Sequence, residues 1–436
     1  MAPLALYPPR SDSETETERN DIVILDGGLG TTLEQTFHLD ISHILWSAHA
    51  AIAHPHVIVD AHLAFLRAGA RVILTSTYQC MLSTFEQAGY APADARDVMR
   101  TCVRLAVEAR ARFCAEQQGT GTTRLDMPDD HNASVPAHVK IALSLGPFGA
   151  GLSPAQEFDG FYPPPYGPSA YSEASLNRNA FAAGEEAQEA EATEALARFH
   201  FDRLCAFADD APTWDALDFV AFETVPLVRE VTAIRMAVAR LEKRLRSGNV
   251  KCKPWWISFV FPGGRFPQQT AVAGEEGDVT TGTIGDNRVA VRAVVEAALS
   301  AGSPAAPLPC PSALGINCTA TEFVPRVLAE MEAAVRAHND SVRPPWLVVY
   351  PNGGDVYDPV SQTWVVKDKG KGGVWAEELH EIVARATRSG VWAGVTAGGC
   401  CRTGPEDIAL LSKLLRSGRG NVLCFIPLSQ TLQINK

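Results

Sequence analysis

The chain has 436 residues and a formal net charge of -12, with 46% hydrophobic and 20% charged residues, which is ordinary globular composition. The acidic balance argues against a nucleic-acid binder, which needs a basic stripe, and no apolar run is long enough to span a membrane. Ten cysteines are too sparse and too irregular for a disulfide scaffold, and they suit a reducing, cytoplasmic setting.

In chain order, residues 1–20 begin with a short apolar patch, pass through Pro8-Pro9-Arg10 and become Ser/Thr/Glu-rich. No basic region leads into a long apolar one, so they read as a disordered acidic tail rather than a secretory signal. Residues 21–436 read as a single domain. Eight β-branched or apolar runs recur, at 22–26, 71–76, 140–145, 219–223, 256–261, 313–318, 346–350 and 393–397. Continuous runs of this length suit strands buried on both faces of a parallel sheet. Amphipathic stretches lie between them at 57–68, 94–114, 228–246, 289–300, 322–338 and 376–389. Eight strand-then-helix units predict an α/β fold, a (β/α)8 TIM barrel, with a doubly wound open sheet as the alternative. Three stretches read as surface insertions: 117–137 is polar, 162–194 opens on Pro163-Pro164-Pro165 and turns Ala/Glu-rich, and 267–286 is Gly/Thr-rich. Segments of this kind are lids or disorder, and disorder or loose packing is expected over most of their length.

Each run ends in small, polar or reactive residues, which a barrel gathers on one rim. They are Asp26-Gly27-Gly28, Ser76-Thr77-Tyr78-Gln79, Gly146-Pro147, Glu223-Thr224, Pro262-Gly263-Gly264, Asn317-Cys318, Pro351-Asn352-Gly353-Gly354 and Gly398-Gly399-Cys400-Cys401. Cys318 and the vicinal pair Cys400 and Cys401 look like a three-thiolate zinc shell with a vacant fourth position, the kind of site that does chemistry. Successive strand side chains diverge. Both vicinal thiols therefore reach one ion only if the backbone bends, a freedom that Gly398 and Gly399 supply. Ordinary buried thiols are the plain alternative. A zinc-bound substrate thiol is deprotonated near neutral pH, and its natural reaction is attack on an electron-poor methyl group such as that of an onium donor. A hydrolytic site would instead draw on His-rich ligands, and no His-Glu-x-x-His motif is present.

Asp26 and Glu223 face the same rim, where two carboxylates bind the ammonium of an amino acid or act as acid and base. N-capping of the next helix is the bland alternative for Asp26. Gly27-Gly28-Leu29-Gly30 lacks both the G-x-G-x-x-G spacing and a P-loop lysine, so it gives little support to a nucleotide site. His43, His49, His54, His56 and His62 fit helix faces and turns better than a second metal site. Trp46, Trp255, Trp256 and Trp392 read as packing residues, although an onium donor benefits from an aromatic wall.

Seven motifs in order carry a resemblance to a known family: Leu25-Asp26-Gly27-Gly28-Leu29-Gly30-Thr31, Ala68-Gly69-Ala70 with Thr75-Ser76-Thr77-Tyr78-Gln79, Ser144-Leu145-Gly146-Pro147, Phe222-Glu223-Thr224, Gly315-Ile316-Asn317-Cys318, Tyr350-Pro351-Asn352-Gly353-Gly354, and Gly398-Gly399-Cys400-Cys401-Arg402-Thr403. From about residue 21 to its C-terminus, with insertions, the chain resembles the zinc-dependent homocysteine S-methyltransferases. The resemblance implies a (β/α)8 barrel that methylates homocysteine to methionine. It matches Cys318, Cys400 and Cys401 to the zinc ligands and Asp26 and Glu223 to positions that hold the homocysteine amino group. Asn317, Tyr350 and Asn352 take a loose pocket role. Thr75 to Gln79 and Gly398 to Thr403 look more like the sulfonium-using branch, so S-methylmethionine is the expected donor and S-adenosylmethionine the next. A chain of this length has no room for the large extra domains of the cobalamin type.

The expected partners are small molecules, homocysteine and a methyl donor, and the sequence leaves the oligomeric state open. Three other readings compete. One is a betaine-homocysteine methyltransferase. Another uses a different small thiol, since one methylene is worth only about 1–3 kcal/mol in an apolar pocket. The third is a non-catalytic zinc or redox-sensing protein, because vicinal thiols oxidise readily. Such a sensor has no need of Asp26 and Glu223 in the same mouth.

Overall fold

The eight apolar runs form eight parallel strands: β1 (Ile22–Ile24), β2 (Val72–Leu74), β3 (Lys140–Leu145), β4 (Phe219–Val225), β5 (Trp255–Phe259), β6 (Ala313–Ala320), β7 (Trp346–Asn352) and β8 (Val395–Ala397). The computed structural model describes residues 6, 22–41, 43–119, 139–174, 176–270, 287–303, 306–338, 344–354, 356–358, 363–365 and 373–417. The strand order is β1-β8-β7-β6-β5-β4-β3-β2, and a parallel bridge between Leu25 and Val72 brings the first and last members of that order together. The sheet therefore curls into a barrel, and the open-sheet alternative is set aside.

Helices cover the outside: α1 (Pro55–Ala68), α2 (Pro92–Gly119), α3 (Glu186–Ala208), α4 (Val228–Ser247), α5 (Val291–Leu299), α6 (Val324–His338), α7 (Gly373–Arg388) and α8 (Pro405–Ser417), with shorter helices between some of them. Their apolar faces pack with the outward strand residues in one large core. The inward residues form a second cluster that includes Ala142, Phe219, Ala221, Trp256, Ala313, Val348 and Tyr350. Alternation along each strand separates the two sets. In β4, Phe219 and Ala221 face inward while Val220 and Phe222 face the helices. The same period carries Glu223 inward at the strand's end. It places Ser144, Ser258, Asn317 and Tyr350 in the inward register of their own strands, and all five are buried.

Leu6 belongs to the inner cluster. The rest of the tail expected at 1–20 lies outside the described residues. So do the insertions expected at 117–137 and 267–286, apart from 117–119 and 267–270.

The segment 162–194 corrects an expectation, because it is packed rather than loose. The Tyr162 hydroxyl is buried and donates to Glu230 Oε2 at 2.7 Å. Asn179 is fully buried; its Nδ2 donates to the carbonyls of Asp159 at 2.5 Å and Pro267 at 3.0 Å, and its Oδ1 accepts from Gln269 N at 2.8 Å. The Arg229 guanidinium sits over the rings of Tyr162 and Phe181 and donates to Asn179 O at 2.5 Å. Hydrogen-bonding side chains satisfy the backbone of irregular coil here, and such packing leaves no periodic signature to read.

Arg203 on α3 has no sequence motif, yet it ties two strand ends together. It is only 2% exposed and donates to the carbonyls of Cys80 and Gly146, each at 2.7 Å, and of Thr77 at 2.9 Å. Burial lowers its pKa to about 10, so it stays charged at neutral pH. Arg203→Met strands those carbonyls without a donor. Urea unfolding should then show a loss of about 3–5 kcal/mol, and Arg203→Lys should recover only part of it, because an ammonium cannot reproduce the planar fork.

Candidate active site

The Sγ atoms of Cys318, Cys400 and Cys401 all lie within 4.8 Å of one another, and those of Cys400 and Cys401 are 4.0 Å apart. Thiolates about 2.3 Å from one tetrahedral ion sit about 3.8 Å apart, so the spacing and the all-sulfur donor set fit zinc. Among the described residues no other trio of His, Cys, Asp or Glu gathers in this way. The histidine-rich stretch in particular forms no ligand group: His43 and His49 stack with ring centroids 4.0 Å apart, and His62 is fully buried on α1. Hydrogen bonds within the trio, chiefly from Cys318 and then Cys400, hold the Cys401 thiol well below its usual pKa.

Two local distortions aim these thiols. Strand β6 slips register against β7 between Asn317 and Ala320, and Cys318 adopts φ 48°. Strand β4 slips against β5 between Phe222 and Val225, and Thr224 adopts φ 60°. Regular alternation would send Asn317 and Cys318 to opposite faces, and the bulge lets both serve the mouth. Asn317 clamps the two bulges together: its Oδ1 accepts from Thr224 N at 2.8 Å, and its Nδ2 donates to Thr224 Oγ1 at 2.7 Å. Thr224 Oγ1 in turn contacts Cys318 Sγ at 3.8 Å.

The glycines before the vicinal pair act differently from expectation. The left-handed residue of this turn is Arg402, at φ 65°, and neither Gly398 nor Gly399 takes a positive φ. What requires glycine is closeness. A Cβ on Gly399 would lie 2.1 Å from Thr403 Oγ1, and one on Gly28 would lie 2.4 Å from Cys400 O. The turn after β8 is pressed against the turn after β1 and stitched to it by Gly399 N to Asp26 O at 3.0 Å and Gly28 N to Thr403 O at 2.9 Å.

That contact sets Asp26 beside the thiols. Asp26 does not cap the following helix (Leu29–Gln35): Gly28 holds the N-cap position and no side chain bonds there. Instead its Oδ2 accepts from Leu74 N at 2.8 Å, while its buried Oδ1 has no partner. Burial pushes its pKa well above the usual range, the Leu74 amide opposes the rise, and Glu223 adds to it. Glu223 Oε1 accepts from the Ser144 hydroxyl. Burial raises Glu223 to about 8, with the Ser144 bond opposing and Cys400 adding to the rise. The Tyr350 hydroxyl is buried, meets Ser258 Oγ and accepts from Trp256 Nε1 at 3.4 Å. Asn352 closes β7 with a buried Oδ1 that has no partner.

The structure adds residues to which the sequence gave no role. Ser144 stood in a quoted motif without a role, and Ser258 lay unmarked inside an apolar run. Tyr78 is half-buried, and Glu157 and Cys318 both act on its hydroxyl. Glu157, in the coil after β3, also acts on Cys401 and has a buried Oε2 with no partner. Of the four tryptophans named above, Trp255, Trp256 and Trp392 are buried, whereas Trp46 is 39% exposed and lies against Gly30.

The chain as a whole is matched by known proteins. The family model described as homocysteine S-methyltransferase covers residues 23–415. Homocysteine S-methyltransferase 1 of Zea mays is 29% identical over 400 residues, spanning 91% of this chain and 95% of that protein. A selenocysteine Se-methyltransferase of Brassica oleracea var. italica is 28% identical over 409 residues, or 94% of this chain and 93% of that one. Among solved structures, the metallated form of the Escherichia coli homocysteine methyltransferase MmuM aligns with a TM-score of 0.54 at 25% identity, over 91% of this chain and 97% of its own. The chain therefore belongs to the homocysteine S-methyltransferase family and is a methyltransferase.

Proposed function

We propose that this enzyme moves a methyl group from a sulfonium donor to the thiolate of L-homocysteine, forming methionine, with one zinc ion held by Cys318, Cys400 and Cys401. The observation that carries the reading is the junction of the three thiols with two buried carboxylates that form no ion pair among the described residues. When bound, zinc lowers the pKa of the incoming thiol and keeps its sulfur nucleophilic.

The chain's own residues place the substrate. Asp26 Oδ1 and Glu223 accept the homocysteine ammonium, which stabilises both as carboxylates and releases the protons they hold when the site is empty. Ser144 orients Glu223, and Tyr350, fixed by Ser258 and Trp256, walls the same side. Asn317 acts through Thr224 on the direction of Cys318, and the unpartnered Oδ1 of Asn352 is an acceptor that substrate can use. In the transfer, a thiolate electron pair forms the new S–CH3 bond. The donor's S–CH3 bond breaks with its pair kept on the donor sulfur, which departs as a neutral thioether.

The anionic mouth favours a cationic donor, and the motif likeness to the sulfonium-using branch puts S-methylmethionine ahead of S-adenosylmethionine and betaine. All nine cysteines described are free, as a reducing cytoplasm would keep them. Among the described residues no helix is long and apolar enough to cross a membrane.

The decisive experiment measures bound metal and methyl transfer together, with homocysteine, cysteine and selenocysteine as acceptors and the three donors in turn. About one zinc per chain and chelator-sensitive methionine formation are expected. Cys401→Ala should lose both metal and turnover; full activity in a metal-free Cys401→Ala protein ends the proposal. Gly399→Ala should lower metal affinity while the circular dichroism spectrum stays native, since its new methyl group displaces the Cys400-Cys401 turn.

A second expectation concerns pH. Glu223 is raised to about 8 in the folded protein from an ordinary 4.5. The folded state therefore keeps a proton that the unfolded chain has released, and this contribution to stability is lost as pH climbs from about 4.5 towards 8. Glu223→Gln removes that titration, so the unfolding free energy of the substrate-free protein should fall less between pH 5 and 8. The same change should raise the KM for homocysteine about tenfold or more. An unchanged homocysteine KM would detach Glu223 from the acceptor.

A further inference from the structure

The charges at the mouth leave one carboxylate over. An amino-acid acceptor brings one ammonium, and Asp26 with Glu223 suffices to receive it. Glu157 is the third carboxylate. It stands in the coil that follows the short helix Phe148–Gly151, braced by Gln156 N to Gly149 O at 2.9 Å and Gly160 N to Gln156 O at 2.8 Å. The brace is tight, since a Cβ on Gly149 would lie 2.6 Å from the Gln156 carbonyl carbon. Glu157 Oε2 is buried and has no hydrogen-bond partner. The segment that leads into this coil lies against the turn after β2: Gly146 N donates to Tyr78 O at 3.0 Å, Gln79 Nε2 donates to Ala150 O at 3.3 Å, and a Cβ on Gly146 would lie 2.8 Å from the Tyr78 ring. From there the Glu157 charge acts on the Tyr78 hydroxyl and the Cys401 thiol.

No described cation offsets it. Asp159, two residues on, is countered by Arg288, whereas the one charged neighbour acting on Glu157 is Asp159 itself, another anion. Burial lifts the Glu157 pKa to about 7, against a hydrogen bond from its own backbone amide, and Asp159 adds to the rise. A buried carboxylate left unpaired is costly, and the cost falls when a counter-charge arrives. No described residue supplies that counter-charge, and a cationic ligand near the Cys401 thiol, where the methyl group is handed over, does.

We infer that Glu157 recognises the positive sulfur of the methyl donor and sets the enzyme's preference for onium donors. This rests on the methyl-transfer reading proposed above. The chemistry fixes the kinetic signature. The sulfonium charge disappears as the methyl leaves, so a carboxylate beside it binds the donor more tightly than the transition state. Removing the carboxylate therefore weakens donor binding without slowing the bound complex. Loss of the charge on the product removes the attraction, and the neutral thioether is released.

The test is Glu157→Gln in the zinc-loaded enzyme. The KM for S-methylmethionine should rise about ten- to a hundredfold, with kcat unchanged or slightly higher and with metal content and homocysteine KM unchanged. Glu157→Asp, which keeps the charge but shortens its reach, should fall between, and it serves as the probe if the Gln variant fails to fold. Methionine, which has the donor's ammonium but a neutral sulfur, separates the two positive centres. Its inhibition constant should be the same in wild type and variant. An equal weakening of methionine and S-methylmethionine would assign Glu157 to the ammonium and overturn the inference. So would a donor KM within twofold of wild type, or a drop in kcat alone. A wild-type enzyme that takes methyl from no onium donor refutes the functional reading itself; an active wild type with an indifferent Glu157→Gln variant refutes only the role of Glu157.

Discussion

The seam between the first and last strands is the contact on which the rest depends. The turn after β1 and the turn after β8 approach so closely that Gly28 and Gly399 have no room for a Cβ. Backbone bonds from Gly399 to Asp26, from Gly28 to Thr403, from Cys400 to Pro351 and from Gly353 to Cys401 weld β1, β7 and β8 at one level. The seam joins the chain's first strand to its last, and it also makes the site, because Asp26 enters from one side and two thiols from the other. Closure and chemistry share the same few atoms. A change that loosened one would misplace the other, even where no substituted residue touched a substrate.

A second constraint is the contrast between buried charges that are satisfied and buried charges that wait. Glu230 is fully buried, and its oxygens accept from Phe148 N, the Tyr162 hydroxyl and His200 Nε2 at 2.7, 2.7 and 3.0 Å. Arg203 is equally buried and equally engaged. These two hold the crossover segments in place. Asp26, Glu223 and Glu157 have fewer partners than oxygens to satisfy, and their raised pKa values record that deficit. Groups kept short of partners on a well-bonded scaffold mark where a ligand completes the structure.

The barrel was legible because parallel strands are buried on both faces, so each one shows as an unbroken apolar run. All eight runs became strands, with ends shifted by a few residues. The thiols and Asp26 and Glu223 were legible because they end those runs, and the barrel's geometry converts strand ends into neighbours. The bulges at Thr224 and Cys318 were not legible, since nothing in Glu-Thr-Val or Asn-Cys-Thr announces a positive φ. Gly398 and Gly399 were noticed for the wrong physical reason: conformational freedom was expected, and close packing was found. Glu157 and the described residues of 162–185 lie outside regular helices and strands, and Arg203, although on α3, bonds to turns distant in the chain. Their partners are backbone atoms or side chains far along the chain, and pattern reading has no handle on such contacts.

The two halves of the proposed site are consequently built in different ways. The acceptor half stands on strand ends whose positions are set by the barrel itself, and moving any of them disturbs the seam. The donor half, at Glu157, stands on a crossover coil that the barrel does not dictate and that Gly149, Tyr162 and Asn179 hold in shape. Loops vary more freely than the sheet they connect. Donor preference can therefore shift by exchanging residues in 152–162 while thiol binding stays intact, whereas acceptor chemistry cannot be altered without disturbing the closure of the fold.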